Sequence, residues 1–228
     1  MKNQFDILLN DLNIVLSSKQ KKQFEDYFSL LVEWNSKVNL TSITDKEDVY
    51  IKHFYDSLCL TKAVSLSKQT VLDVGSGAGF PSIPLKIVFP NLDITIVDSL
   101  NKRILFLTEL SKVLGIDVKL QHERIEEHTN RSYYDIVTAR AVAPFNILSE
   151  LCIPFVKKEG LFLPMKSISV QGELQGSESY LKKLGASLMN IVEYDYLGYQ
   201  RSIPIVLKNQ ETNPKYPRAF SKIKKSPL

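Results

Sequence analysis

The chain has 228 residues, of which 44% are hydrophobic and 24% are charged, and its net charge is +4. These values predict one sizeable globular α/β domain, or a domain with an extension, and exclude a low-complexity chain. No stretch approaches the roughly 18 consecutive apolar residues that span a bilayer, and the N-terminus lacks the pattern of a signal peptide. We therefore expect a cytoplasmic protein in which Cys59 and Cys152 are reduced thiols of the core.

The N-terminal part of the chain has the periodicity of amphipathic helices. Apolar residues recur on one helix face over residues 5–16, and Ser17 or Ser18 is placed to cap a second helix. The second helix continues with a stripe that is typical of a core, made of Phe24, Tyr27, Phe28, Leu31 and Val32. A third helix is predicted over residues 46–60. We expect a helical extension, residues 1–66, that packs on the remaining chain.

From Thr70 onward, short apolar runs alternate with helical segments. Strands are predicted at residues 70–75, 93–98, 118–121, 135–138, 161–165, 188–194 and 203–207. Helices are predicted at 80–89, at 104–114 with Gly115 as the C-cap, at 145–156, and in a segment that ends near Gly185. Alternation of this kind predicts a parallel sheet covered by helices, whereas the last two strands can pair only as an antiparallel hairpin. Residues 67–208 are therefore predicted to form a Rossmann-like core.

A glycine-rich loop follows the first strand and is the sharpest motif of the chain. It reads G-x-G-x-G through Gly75, Gly77 and Gly79, with Asp73 before it and Phe80 after it. Dinucleotide-binding loops read G-x-G-x-x-G and hold a pyrophosphate, and here Phe80 occupies the place of the third glycine. An acid two residues before Gly75 suits a ligand with an ammonium group. S-adenosylmethionine carries an ammonium and a sulfonium group but no pyrophosphate.

The second strand ends at Asp98, which lies 19 residues after Gly79. A carboxylate at this place can accept hydrogen bonds from both ribose hydroxyls of a nucleotide, and nicotinamide cofactors would use it equally well. The loop spacing, Asp73, Asp98 and the terminal hairpin together favour the class I methyltransferase fold with S-adenosyl-L-methionine as cofactor.

Five segments of the chain resemble the glucose-inhibited division protein B family: WNSKVNLTSI, HFYDSL, VLDVGSGAGFPSIPLKI, VDSLNKR and DIVTARAVA. The resemblance runs from the second helix to the C-terminus, although the family's ending is usually richer in Pro and Gly. It implies a bacterial enzyme that methylates guanine N7 in 16S ribosomal RNA, with ribosomal RNA or the small ribosomal subunit as its partner. It also implies cofactor contacts at Gly75, Phe80, Ile125, Glu126 and Arg140. The residue pattern adds Asp73 and Gly77 at the loop and Asp98 at the end of the second strand.

The residue chemistry agrees with N7 methylation. Thr138 and Arg140 occupy the place where amine methyltransferases carry an Asn/Asp-Pro-Pro-aromatic loop, and neither cysteine is placed as a nucleophile for pyrimidine carbon. Guanine N7 offers a lone pair with no proton to remove, so the reaction needs alignment rather than a base. We expect no general base.

Basic residues are the candidates for contact with RNA. Arg140 is expected to touch the cofactor carboxylate or the guanine, or else to form an ordinary ion pair. Lys166, Arg201 and Arg218 are predicted RNA contacts, with a solvated lysine nearly as good an interpretation of Lys166. The tail, residues 209–228, is interpreted either as a mobile basic arm for RNA or as a solvated end, in both cases outside the glycine-loop crevice.

Other functions stay open at this point. A nicotinamide oxidoreductase is disfavoured by Phe80 and by the lack of a second domain, and a non-catalytic RNA-binding module is the other alternative. His53 is expected either to contact substrate or to cap a helix. His122 and His128 lack metal-ligand spacing, so no metal is predicted. A monomer is favoured, although the sequence does not determine the oligomeric state.

Overall fold

The computed structural model describes residues 4–168 and 170–228. Their strands are β1 (Thr70–Val74), β2 (Asp93–Asp98), β3 (Lys119–His122), β4 (Tyr134–Arg140), β5 (Val156–Ser167), β6 (Ala186–Tyr196) and β7 (Tyr199–Lys208). They form one sheet in the order β3-β2-β1-β4-β5-β7-β6. Strands β1 to β5 pair in parallel, whereas β7 is antiparallel to both β5 and β6. The predicted mostly parallel sheet with a terminal antiparallel hairpin is confirmed.

Helices cover both faces of this sheet. They are α1 (Gln4–Asp11), α2 (Ser18–Val38), α3 (Lys46–Val49), α4 (Asp56–Leu58), α5 (Ser82–Val88), α6 (Asn101–Leu114), α7 (Phe145–Cys152), α8 (Val170–Leu174), α9 (Ser177–Lys183) and α10 (Phe220–Lys225). A π turn at Tyr50–Tyr55 joins α3 to α4, so the helix predicted over residues 46–60 is present but irregular. Within residues 4–168 and 170–228, no helix combines the length and apolarity needed to cross a membrane.

Several element boundaries differ from the sequence prediction. The helix expected to end near Gly185 is split into α8 and α9 by Gly176, whose φ is +75°. The hairpin strands β6 and β7 are longer than predicted because Leu197 and Gly198 close them in a tight turn with positive φ at both residues. Two such residues match the right-handed twist of the paired strands, which lets the ladder continue up to the turn.

Helix α2 packs against helices α5 and α6 and against the glycine-rich loop. Ser17 caps it through a reciprocal capping box with Gln20, as one of the two predicted serines. Phe24, Tyr27 and Leu31 are buried, and the Tyr27 hydroxyl donates a 2.5 Å hydrogen bond to the Ala78 carbonyl oxygen in the loop. The predicted core role of the stripe is confirmed for these three residues, whereas Phe28 is only partly buried and Val32 is exposed.

The C-terminal tail is folded onto the core, and its interpretation as a mobile arm is wrong. Arg218 donates from Nε and Nη2 to the carboxylate of Glu150, at 2.7 and 2.6 Å. Glu150 is fully buried in α7, and a buried carboxylate is strongly destabilising without a partner. Tyr216 and the completely buried Ile223 anchor the same segment by apolar contact. These contacts were missed because the tail lacks a long apolar periodicity.

Candidate active site

The glycine-rich loop forms the floor of a cavity of about 440 Å³ at the carboxyl edge of the sheet, called the loop cavity below. Gly75 and Gly77 line it with φ of +70° and +62°, a region that L side chains rarely adopt. A Cβ atom at Gly75 would lie 3.0 Å from Val142 Cγ2, whereas one at Gly77 would meet no atom within 4 Å. Gly77 therefore borders open space, as a loop that lets a ligand approach its backbone should.

Gly79 has a different role from the two cavity glycines. At its φ of +99°, a Cβ atom would lie 2.6 Å from Ile83 Cγ1 and 2.9 Å from the Tyr27 hydroxyl. Gly79 thus permits the close packing of loop, α5 and α2. The next residue, Phe80, stacks on His53 with ring centroids 4.5 Å apart and lines the loop cavity.

Asp98 lines the loop cavity from the end of β2. Its Oδ1 accepts a hydrogen bond from the Leu100 N–H, while Oδ2 accepts from the Gly77 N–H at 3.2 Å and from Arg103 Nη1 at 3.1 Å. A carboxylate offers about four acceptor positions, so about one remains for a ligand hydroxyl. To accept hydrogen bonds from two ribose hydroxyls, Asp98 would have to give up one of these three contacts, and its role at the ribose stays a prediction.

One end of the loop cavity is formed by Ile125, Glu126 and a residue of the tail. Ile125 and Glu126 occupy a short 3₁₀ turn after β3, as the resemblance implied for the cavity. Phe220 at the start of α10 also lines the cavity, and its N–H donates to Glu126 Oε1 at 3.2 Å. The prediction that the tail lies outside the crevice is therefore wrong.

Arg140 lines the loop cavity from the end of β4, which β2 and β1 separate from β3 and the 3₁₀ turn after it, so it lies at the opposite end from Ile125 and Glu126. Its Nη1 donates to Asp56 Oδ2 at 2.9 Å, its Nη2 lies 3.3 Å from His53 Nδ1, and its guanidinium sits 4.8 Å above the Phe80 ring. Burial is the main reason that the pKa of His53 is lowered to about 4, and the charge of Arg140 adds to it. The imidazole is therefore neutral, and its Nε2 lies 2.9 Å from the Thr41 hydroxyl.

Asp56 holds this end of the cavity together. Besides Arg140, it accepts hydrogen bonds from the hydroxyls of Tyr196 and Tyr194 at 3.0 and 3.3 Å, and Arg201 Nε lies 3.5 Å away. Asp56 is nearly buried, so the pairing with Arg140 is only weakly screened by solvent. The π turn that precedes Asp56 carries His53, and π turns often occur at functional sites.

A second cavity, of about 420 Å³, adjoins the first and is called the basic cavity below. The two cavities share His53, Arg140 and Ala141. Four cationic side chains line the basic cavity, against the two acids Asp56 and Glu173: they are Lys52, Arg140, Lys166 and Arg201. Its charge suits an anionic partner, and its position lets such a partner reach the contents of the loop cavity.

The comparison with known proteins agrees with this arrangement. The family model GidB, described as rRNA small subunit methyltransferase G, matches residues 20–202. The chain belongs to this family. Relatives with that same name are 48% identical in Staphylococcus saprophyticus, over 96% of this chain and 95% of the relative, and 47% identical in Bacillus pumilus, over 99% and 98%. The resemblance seen in the sequence is thereby confirmed.

Solved structures show the same fold at low sequence identity. The chain resembles M. jannaschii TYW2 in complex with AdoMet, with a TM-score of 0.59, 14% identity and coverage of 74% of this chain and 80% of that one. It also resembles a SAM-dependent methyltransferase from Aquifex aeolicus, with a TM-score of 0.54, 17% identity and coverage of 72% and 94%. The chain therefore has the methyltransferase fold that the sequence predicted.

In this member of the family, Asp73 does not reach the loop cavity. It is fully buried behind the loop, where Oδ2 accepts a hydrogen bond from the Ser82 N–H at 3.3 Å. Its Oδ1 has no hydrogen-bond partner among the described residues. Burial raises the pKa of Asp73 to about 7. The direct ligand contact predicted for Asp73 is corrected accordingly, because the carboxylate is buried away from the cavity and accepts its hydrogen bond from the first residue of α5.

This raised pKa predicts a pH-dependent stability. The folded carboxyl keeps its proton up to about pH 7, whereas an unfolded aspartate loses it near pH 4. The protonated Asp73 carboxyl therefore stabilises the folded state, and this stabilisation is complete below pH 4 and is lost as the pH rises through 7. Between pH 5 and pH 8 we expect the free energy of unfolding of the wild type to fall by roughly 2 to 3 kcal/mol relative to Asp73→Asn. Denaturant titrations of the wild type and of Asp73→Asn measure both free energies of unfolding. A difference between the two that stays constant with pH would contradict the prediction.

The three predicted RNA contacts lie in different surroundings. Arg201 lines the basic cavity with 32% of its side chain exposed. Lys166 also lines it, but its ammonium is held by Glu173 at 2.8 Å and by the Ala143 carbonyl oxygen at 3.1 Å. Arg218 lines neither cavity and is paired with Glu150. The first two therefore remain candidates for direct contact, whereas Arg218 has a structural partner.

Sequence reasoning missed the two residues that connect the site to the rest of the chain. Asp56 lies inside the motif HFYDSL, so the signal was present, but its partners come from β4, β6 and β7. Phe220 gave no signal, because it stands alone in a polar tail. In the described ranges 4–168 and 170–228, no group of three His, Cys, Asp or Glu residues is arranged to hold a metal ion.

Proposed function

We propose that this chain transfers a methyl group from S-adenosyl-L-methionine to N7 of a guanine in 16S ribosomal RNA. The observation that carries the proposal is the meeting of the loop cavity and the basic cavity at His53, Arg140 and Ala141 in a member of this family. The loop cavity, with about 440 Å³, falls in the range of cofactor sites. When bound, S-adenosylmethionine supplies an electrophilic methyl group on its sulfonium.

The residues of the loop cavity fit such a cofactor. Gly75 and Gly77 leave room beside the loop backbone, and Asp98 retains about one acceptor position for a ribose hydroxyl. Ile125 and Glu126 offer an apolar face and a carboxylate for the base. Arg140 offers a cation for the methionine carboxylate. The ring of Phe80 holds the guanidinium plane of Arg140 in place.

Alignment is the main task that we assign to the protein. A guanine N7 attacks as a neutral lone pair, so no proton has to leave the acceptor atom in the transfer step. His53 is neutral and is held between Thr41 and Arg140, which makes it a positioning residue rather than a base. Holding two reactants at the right distance and angle can account for roughly 7 to 11 kcal/mol of a barrier.

We assign the RNA to the basic cavity. Lys52, Lys166 and Arg201 surround it, and Ala141, with a φ of +57°, marks the border with the loop cavity. We further propose that the enzyme works in the cytoplasm as a monomer. Residues 67–208 would then be its cofactor-binding core, with residues 1–66 as an extension and 209–228 as a tail.

Loss of Arg201 should weaken RNA binding. We expect Arg201→Ala to flatten the log–log dependence of binding on salt by somewhat under one unit, because one phosphate contact is lost. The turnover at saturating RNA should also fall, since Arg201 lies beside the Asp56 carboxylate that holds Arg140. Binding to 16S RNA at several salt concentrations measures the slope.

Arg131→Ala is the matched control, because Arg131 is exposed just before β4 and so lies at the amino end of the strands, away from the carboxyl edge that carries the site. A wild-type slope in Arg201→Ala would remove this residue from the RNA site.

Modified nucleotides in 16S RNA test the function itself. In cells that lack this gene, we expect one 7-methylguanosine of 16S RNA to disappear and to return when the gene is restored. An unchanged set of 7-methylguanosines would contradict the proposal.

A further inference from the structure

The C-terminal segment brings an aromatic side chain to the loop cavity. Phe220 is half-buried, lines the cavity together with Leu151, and packs against the buried apolar cluster that contains Ile125. Its backbone N–H donates to Glu126 Oε1 at 3.2 Å. The ring and the backbone N–H of Phe220 thus both lie at the end of the cavity that Ile125 and Glu126 form.

Two anchors hold Phe220 in this place. Two residues before it, Arg218 donates to the buried Glu150 carboxylate from its backbone N, its Nε and its Nη2, at 3.1, 2.7 and 2.6 Å. Three residues after it, Ile223 is completely buried. A side chain held between an ion pair and an apolar contact loses little further entropy when it meets a ligand.

The position of Phe220 decides which part of a cofactor it can touch. The opposite end of the loop cavity shares His53, Arg140 and Ala141 with the basic cavity. A methyl group that is to be transferred must face the acceptor, so the methionine half belongs at that shared end. The purine therefore belongs at the end formed by Ile125, Glu126 and Phe220.

We propose that Phe220 positions the cofactor: its ring binds the purine, and its N–H holds Glu126 for the purine's amino group. The inference rests on the proposed function, because it takes S-adenosylmethionine as the ligand of the loop cavity. Since Oε1 of Glu126 already accepts from the Phe220 N–H, Oε2 is the oxygen that the amino group would use. The tail is thus part of the cofactor site.

Binding of two ligands tests this role without any methyl transfer. S-adenosylhomocysteine carries both halves of the cofactor, and 5′-methylthioadenosine carries only the nucleoside half. In Phe220→Ala we expect the Kd of both ligands to rise by the same factor, about tenfold, which is typical of a lost aromatic contact with a base. Phe220→Tyr should keep the wild-type Kd, because it retains the aromatic face. Lys224→Ala is the matched control, since Lys224 is exposed on the same helix α10.

The outcomes separate this inference from the proposed function. A wild type that binds neither ligand would contradict the proposed function itself. A wild type that binds both, with unchanged Kd values in Phe220→Ala, would overturn the role of Phe220 alone. A loss for S-adenosylhomocysteine but not for 5′-methylthioadenosine would overturn it too, because the contact would not be with the nucleoside. If Phe220→Ala does not fold, Phe220→Leu keeps the apolar volume, and the difference between its Kd and that of Phe220→Tyr decides the question.

Discussion

Replacement of Arg140 by alanine is expected to lower kcat for methyl transfer by about a hundredfold or more, because rate depends steeply on alignment. Arg140 links Asp56 and His53 at the place where the two cavities meet, and its guanidinium stacks over Phe80. The rate at saturating RNA and cofactor, measured with labelled methyl groups, tests this effect. Wild-type turnover in a folded Arg140→Ala protein would show that Arg140 only forms a structural ion pair.

Two further variants separate alignment from folding. Removal of Arg140 leaves the nearly buried Asp56 short of one partner, which by itself can cost about 3 to 5 kcal/mol of stability. Arg140→Ala combined with Asp56→Asn removes both charges, so it should regain stability without regaining turnover. Arg140→Lys keeps the charge but cannot present the planar, forked donors of an arginine, so it should fold and stay slow. Turnover that recovers together with stability would contradict the alignment role.

Replacement of Gly77 by aspartate is expected to abolish cofactor binding. The new side chain would enter the open space beside the loop, and its carboxylate would stand near that of Asp98, which the Gly77 N–H contacts at 3.2 Å. We expect the Kd for S-adenosylhomocysteine to rise about a hundredfold or more, a loss of roughly 3 kcal/mol. Titration calorimetry measures it directly.

Gly115 supplies a matched control for this variant. It has a φ of +60°, close to the +62° of Gly77, and a Cβ atom there would also meet nothing within 4 Å. It caps the end of α6 and lines neither cavity, so Gly115→Asp carries the same backbone strain without touching the site. Gly77→Asn adds a side chain of similar size without the charge, so its comparison with Gly77→Asp separates the effect of size from the effect of charge. Unchanged binding in Gly77→Asp, or an equal loss in Gly115→Asp, would contradict the assignment of the loop.

The sequence predicted those features that depend on local pattern. Short apolar runs placed the strands and period-3.6 apolar spacing placed the helices, while the short connection between the last two strands indicated their antiparallel pairing. Gly75, Gly77, Phe80, Asp98, Ile125, Glu126 and Arg140 were all predicted, and all of them line the loop cavity. Their binding of the cofactor remains a prediction until it is measured.

Features that depend on contacts distant in sequence were not predictable in this way. Asp56 becomes important only because Arg140, Tyr194, Tyr196 and Arg201 meet it in space, more than 80 residues along the chain. The role of Asp73 was misjudged for a related reason. Its spacing before the loop suggested contact with a ligand, but a one-dimensional pattern does not show which side of the loop a side chain lies on.

The packing of the tail also depends on contacts that are distant in sequence. Its composition of Lys, Pro and Arg suggested a solvated arm, because charge and apolar periodicity are the signals that a sequence offers. Packing depends instead on Ile223, Tyr216 and the pairing of Arg218 with Glu150, which lies in α7. A buried acid in a distant helix can hold a segment that has no pattern of its own.

Nucleoside analysis of the reaction product is the most direct test of methyl transfer to guanine N7. Purified protein is incubated with methyl-labelled S-adenosylmethionine and small ribosomal subunits, or their 16S RNA, from cells that lack this gene. We expect the label in 7-methylguanosine alone. Label in any other nucleoside would contradict the N7 assignment, and RNA binding without any label would indicate an RNA-binding module rather than an enzyme.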